Sequence, residues 1–159
     1  MSLNDKVLDK TGWKLLEALQ KDGRASFREL GVQVGLSTPA ASERVRKLED
    51  AGIISSYRAV LDLEKLGRSI TAFITVQTRP ERNPPLIEFI QSSPVVLEGH
   101  YITGQASFIF KIAVPSIHDM EKFIKSLSHY GATQTSIVMS TYMQNKVITD
   151  VDWNQEESL

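Results

Sequence analysis

The chain divides near residue 62, where sustained helical periodicity gives way to alternating strand and helix patterns, so no single layer of one regular element can account for it. Before that point apolar residues recur at spacings of three and four. Leu8, Leu15, Leu16 and Leu19 form one stripe, Phe27, Leu30 and Val34 a second, and Ala41, Val45 and Leu48 a third. These spacings predict amphipathic helices over about 9–22, 26–34 and 38–50. The punctuation agrees with them. Ser26 and Glu29 have capping-box spacing. Gly35 ends the second helix, and Ser37 or Thr38 caps the third, with Pro39 in a first turn that needs no intrahelical N–H bond there. Gly52 stands where a left-handed residue closes a helix. The β-branched and aromatic stretch ISSYRAVLD then predicts one or two short strands.

Beyond residue 68 the texture is that of alternating strands and helices. SITAFITVQT reads as a strand. NPPLIEFIQSS reads as a helix opened by Pro, with Leu86, Ile87 and Ile90 on one face. VVLEGHYIT and ASFIFKIAV read as strands, SIHDMEKFIKSLSHYG as a helix capped by Ser116 and Asp119, and ATQTSIVMSTYM as a final strand. The order β-α-β-β-α-β is the ferredoxin-like arrangement. The expected fold is therefore α+β: a winged helix-turn-helix domain over 1–62, a connector at 63–67 (LEKLG), a ferredoxin-like domain over 68–145, and a polar, loose tail over 146–159. SFIFKIAV and SIVM are apolar in both alternate registers, which marks strands buried on both faces. Helices cover only one face of such a sheet, so a second copy of the chain is expected on the other.

Composition narrows the chemistry. With no Cys, thiolate catalysis, disulfides and Cys-bound metals are excluded. No apolar run reaches the roughly 18–20 residues of a membrane span, and the N-terminus lacks the apolar core of a signal peptide, so a cytoplasmic protein without membrane contact is expected. His100, His118 and His129 are not at metal-ligand spacing. No nucleophile elbow, Walker loop or dinucleotide fingerprint occurs. The expectation is no enzyme, no metal and no cofactor.

The segment GLSTPAASERVRKLEDAG carries the clearest functional pattern. With Ala41, Val45 and Leu48 turned inward, the opposite side presents Ala40, Glu43, Arg46 and Lys47, with Arg44 on the flank. Small residues fill the first turn and cations the later ones. A recognition helix presents its N-terminal residues to base edges, where small side chains permit close approach, and its cations to phosphates. The candidate DNA contacts are Ser37, Thr38, Pro39, Ala40, Glu43, Arg44, Arg46 and Lys47. The plain alternative is a solvated helix laced by Arg46–Asp50 and Glu43–Lys47 pairs. Bulk charge does not decide between them: the chain has a formal charge of −1, and its first 62 residues carry ten Lys and Arg against nine Asp and Glu. The short Gly35-Leu36-Ser37 turn between two helices favours the DNA-binding motif.

LEALQKDGRASFRELGVQVGLSTPAASERVRKLEDAGII resembles the DNA-binding half of the Lrp/AsnC family of prokaryotic transcription regulators, and the β-α-β-β-α-β half resembles that family's effector-sensing and oligomerising domain. The match covers about residues 8–143. The resemblance implies double-stranded DNA as a partner, homodimers that often assemble into octamers, and modulation by small molecules, commonly amino acids. It also implies an effector site at the turn Gly104-Gln105-Ala106-Ser107 and at a T-x-T pair, Thr133 and Thr135. Two positions depart from the pattern. Gly12 replaces an acid of the opening helix, which predicts a late or frayed start, since mid-helix Gly costs roughly 1 kcal/mol relative to Ala. The turn keeps Gly104 but lacks the usual aromatic and acid, so a ligand there should meet neutral donors rather than a carboxylate. Thr133 and Thr135 also fit a strand that simply favours Thr. Three functions stay open: a sequence-specific, effector-responsive regulator, an architectural DNA-binding protein without effector, and a metabolite-binding module or enzyme using the second domain.

Overall fold

A computed structural model describes residues 7–151. They form two compact units. One holds the chain up to Ala59 together with residues from Met143 on, and the other is Val60–Tyr142.

The first unit is three helices: α1 Lys10–Lys21, α2 Phe27–Val34 and α3 Thr38–Asp50. Each begins at a side chain that accepts a backbone N–H the helix cannot satisfy itself. Asp9 accepts from Gly12 at 2.8 Å, and Ser37 accepts from Ala40 at 3.4 Å. Ser26 and Glu29 complete a reciprocal box, the Glu29 N–H donating to Ser26 Oγ at 3.2 Å and the Ser26 N–H to Glu29 Oε2 at 2.7 Å. Leu15, Ala18, Leu30, Val45 and Leu48 meet in one core, ringed by Leu8, Leu16, Leu19, Val34, Ile53 and Ile54. After α3 the N–H groups of Ile53 and Ile54 both donate to the Leu48 carbonyl, and Gly52 takes φ 69°.

Gly12 does not interrupt a helix. It lies in the first turn of α1, where a Cβ would stand 2.1 Å from the Val7 carbonyl oxygen. The glycine is there so that the preceding chain can fold onto the helix start. Gly31 plays the same part in the helix-turn-helix: a Cβ on it would stand 2.6 Å from the Leu36 carbonyl oxygen in the turn.

The expected wing strands are absent: no strand lies between Asp50 and Ile70. Tyr57, Val60 and Leu61 are exposed there. Strand-like composition forms no strand without a neighbour to pair with, and nothing in the described chain supplies one. The segment is instead held at Tyr57, whose hydroxyl donates to Glu49 Oε1 at 2.9 Å. The connector at 63–67 is a helical turn, closed by Gly67 at φ 74°.

The second unit runs β1 Ile70–Thr78, a 3-10 turn Pro80–Arg82, α4 Asn83–Ser92, β2 Val96–Tyr101, β3 Phe108–Val114, α5 Ile117–Leu127 and β4 Gly131–Ile137. The strands form one antiparallel sheet in the order β2-β3-β1-β4, the ferredoxin-like topology. Ala72, Ile74, Val76, Phe108, Phe110, Ile112 and Val114 point to one face and are buried with Leu86, Met120, Phe123 and Leu127 of the helices. Ile87, expected on the buried face of α4, is exposed. The other sheet face carries Phe73, Thr75, Ile109 and Lys111, with Lys111 Nζ donating to Glu98 at 3.0 Å.

Two further expectations change. The last strand ends at Ile137 rather than near residue 143, because its partner β1 runs out: Ala72 pairs Ile137, and the final bond is from Val138 N–H to the Thr71 carbonyl. The tail is also not wholly loose. The Gln20 side-chain amide donates to the Ile148 carbonyl at 2.9 Å and accepts its N–H at 2.8 Å, so the tail docks on α1; residues 152–159 lie outside the described chain.

The Gly31 contact gives a direct test. Gly31→Ala overpacks the turn and should destabilise the first unit by about 1–3 kcal/mol. Gly23→Ala meets only ordinary contacts at 3.7 and 3.9 Å and should change stability by less than about 0.5 kcal/mol. Urea midpoints of the two variants and the parent measure the difference.

Candidate nucleic-acid interface

The rotation of α3 about its own axis is set by burial. Ala41, Val45 and Leu48 are 0, 1 and 1% exposed, so the opposite side must face outward. Ser37, Thr38, Pro39, Glu43, Arg46 and Lys47 are exposed, and Ala40 and Arg44 are half-buried on one flank. The first turn is thus a surface of small side chains, with the Ser37 hydroxyl engaged as cap. One turn on, the surface becomes charged.

All three cations of α3 have an acid beside them. Lys47 Nζ lies 2.7 Å from Glu43 and Arg46 Nε lies 3.8 Å from Asp50. Both are exposed i,i+4 pairs of the kind that add little stability and exchange readily with a phosphate. Lys47 holds the Glu43 carboxyl below its usual range. Arg44 differs. Its guanidinium pairs with Asp9, the residue that caps α1. That bond, followed by the Gly12 N–H, lowers the Asp9 pKa. Sequence reasoning assigned Asp9 no role, as cap of α1 or beside α3; the link to Arg44 spans 35 residues and has no local signature. Tyr57 was missed in the same way. Although the residue as a whole is half-exposed, partial desolvation of its hydroxyl, then the bond to Glu49, pushes that hydroxyl's pKa up to about 12.

In the second unit the structure places the other candidate residues around the end of β1. The Ser107 N–H donates to the Val76 carbonyl at 3.0 Å, and Thr133 pairs with Val76 from the opposite side. Ser107 and Thr133 are therefore two strand spacings apart, about 10 Å, and Thr135 stands opposite Ile74 on the same strand. Ser107 Oγ also accepts from the Thr78 N–H at 3.4 Å. Gly104 takes φ 124°, a conformation that favours glycine. Gln105 is exposed and Ala106 half-buried. Both Thr133 and Thr135 are half-buried rather than solvent-facing. Beside this turn a shallow groove of about 400 Å³ runs between α4 and β2, lined by Ile87, Ile90, Leu97, His100, Tyr101 and Phe108 among others. His118 is exposed in the first turn of α5, His129 is exposed two residues past its end, and His100 is exposed on β2.

Residues 8–49 match the AsnC-type helix-turn-helix domain, and residues 71–148 match the Lrp/AsnC ligand binding domain. The chain belongs to the Lrp/AsnC family. It is 42% identical over 134 residues to the uncharacterized transcriptional regulator YezC of Bacillus subtilis, covering 84% of this chain and 95% of that protein. It is 32% identical to the leucine-responsive regulatory protein of Rhizobium meliloti, over 90% of this chain and 92% of the relative. A transcriptional regulator of Neisseria meningitidis solved with L-methionine superposes with a TM-score of 0.83 at 30% identity, covering 89% of this chain and 96% of the other. LrpC of Bacillus subtilis superposes with 0.82 at 34%, covering 86% and 97%. The feast or famine regulatory protein of M. tuberculosis was solved with L-methionine too, at a TM-score of 0.80 and 26% identity, covering 90% and 99%. This chain is a transcriptional regulator of the Lrp/AsnC type. No helix of the described residues is long and apolar enough to cross a membrane.

For a member of this family the exposed cations of α3 make a simple prediction. Lys47→Ala should weaken binding to all duplex sequences alike and flatten the dependence of log K on log salt by about 0.9 per bound protomer. Fluorescence anisotropy across a salt series measures it, and an unchanged slope removes Lys47 from the phosphate contacts.

Proposed function

We propose that α3 reads double-stranded DNA, with Thr38, Pro39, Ala40 and Glu43 toward base edges and Arg46 and Lys47 on phosphates, and that an amino acid bound near Ser107 modulates the outcome. The observation that carries this reading is the outward face of α3: small residues in the first turn, cations in the next, fixed by the buried stripe behind them. Dimerisation through the open sheet face completes it. Phe73 is 39% exposed at the centre of that face, and Ile109 lies beside it with no helix of its own unit above. A two-fold dimer presents two heads to half-sites about 34 Å apart, or a multiple of that. Selection from random duplexes should therefore return a roughly palindromic sequence. Light scattering should give at least twice the 17.8 kDa chain mass, and Phe73→Asp, which buries a charge at the interface, should lower it to the monomer.

The effector reading rests on the turn beside Val76. Gly104–Ser107 and Thr133 offer backbone N–H groups and hydroxyls but no acid, which suits a carboxylate. The two neighbours solved with L-methionine make that amino acid the first to try. At a hundredfold excess over Kd a ligand adds about 2.7 kcal/mol, or about 5–10 °C in Tm for a chain of this size. Ser107→Ala should reduce that shift. No shift with any common amino acid, together with tight binding to random duplexes, would favour an architectural role instead.

A further inference from the structure

We propose that Asp9 is a positioning residue for the DNA-binding face: its carboxylate holds the Arg44 guanidinium on the protein and keeps that cation out of non-specific contact with phosphate. The inference rests on the reading of α3 as the recognition helix.

The geometry sets this pair apart from the other two on α3. Asp9 uses one oxygen to accept the Gly12 N–H at 2.8 Å and the other to accept Arg44 Nη2. Its orientation is thus fixed by the cap of α1 before Arg44 arrives, so little side-chain freedom is lost in forming the pair. The partners lie on different helices, 35 residues apart, whereas Arg46–Asp50 and Lys47–Glu43 each sit on a single turn. Arg44 is also the least exposed of the three cations, at 24% against 79% for Arg46 and 53% for Lys47. The other two protrude where a phosphate can displace a flexible acid. Arg44 is held by an acid that cannot follow it outward without giving up the helix cap.

Arg44 is nonetheless within reach of the working surface. It lies four residues after Ala40 and three before Lys47, on the same flank of α3. A guanidinium binds phosphate through two parallel N–H bonds and is a stronger contact than an ammonium. Released from Asp9 it would add a contact that carries no sequence information. Tethered, it leaves discrimination to the first-turn residues.

Asp9→Asn separates this role from capping, because Asn caps a helix about as well as Asp but carries no charge to hold Arg44. Full-length protein is titrated against a labelled random-sequence duplex across a salt series. Asp9→Asn should bind about five to ten times more tightly at about 0.1 M salt, with the salt slope steeper by about 0.9 per bound protomer. Asp9→Ser, another good cap, should behave alike. In an Arg44→Gln background the Asp9→Asn change should leave the slope unaltered. A parental slope in Asp9→Asn, or a gain that survives without Arg44, overturns the inference while leaving the recognition helix standing. Failure of the parent protein to bind any duplex overturns both.

Discussion

The DNA-binding half depends on one packing constraint, the insertion of Ala41, Val45 and Leu48 of α3 between α1 and α2. Leu15, Leu30 and Leu48 are essentially inaccessible there, and the Leu48 carbonyl also accepts the N–H groups that close the helix. A helix turns about 100° per residue, so a shift of one position would bury Ser42 or Arg46 and expose Val45. The cost of burying such a group unpaired forbids it. The residues presented to solvent are thus a consequence of the core and not a separate design. Gly31 belongs to the same constraint. By admitting the Leu36 carbonyl it lets the turn close tightly enough for α2 and α3 to share Leu30.

The second unit is organised by β1, which has a neighbour on both sides. Its inward residues Ala72, Ile74 and Val76 are completely buried. Its backbone also holds the two groups of candidate effector residues, Ser107 on one side of Val76 and Thr133 on the other. A ligand touching both would press on a strand whose side chains are close-packed against α4 and α5, and close-packed interiors transmit small displacements. The opposite face of the same strand, with Phe73 and Thr75, is the one open to a second copy.

The helices of the first unit were legible in the sequence to within about one residue, because their apolar stripes are periodic and two of their caps are local chemistry: Ser26 with Glu29, and a hydroxyl at Ser37 or Thr38 ahead of Pro39; the Asp9 cap on Gly12 was not read. The ferredoxin-like order was legible because the period alternates between two and three to four. What failed depended on partners far along the chain. ISSYRAVLD has strand composition, but a strand is a relation between two segments and the described chain offers none. The end of β4 was set by where β1 begins. Ile87 lies on the apolar stripe of α4 yet at the rim, where the sheet no longer covers it. The tail docks through Gln20, a residue with no distinguishing pattern. At the DNA-binding face the exposed residues and the flank position of Arg44 followed from periodicity, while the pairing of Arg44 with Asp9 did not. Gly12 was legible as an anomaly but not in its reason, the close approach of Val7.

The weak charge of the reading head bears on why the two halves belong together. α3 carries Arg44, Arg46 and Lys47 against Glu43, Glu49 and Asp50, and so has no net charge. Non-specific affinity for duplex DNA grows with the number of phosphates neutralised, so one such head has little to draw it to DNA. Two heads joined in the proposed dimer change the arithmetic. Once the first is bound, the second acts at an effective concentration set by geometry rather than by bulk, and the gain requires no new contact within either head. It is obtained only where two half-sites match the spacing of the heads. A nearly neutral head on an oligomeric platform therefore favours paired sites over isolated ones more sharply than a strongly basic head would, since the basic head would already be held on any stretch of backbone. On the proposed reading, the open sheet face is as much a determinant of sequence selectivity as α3 itself.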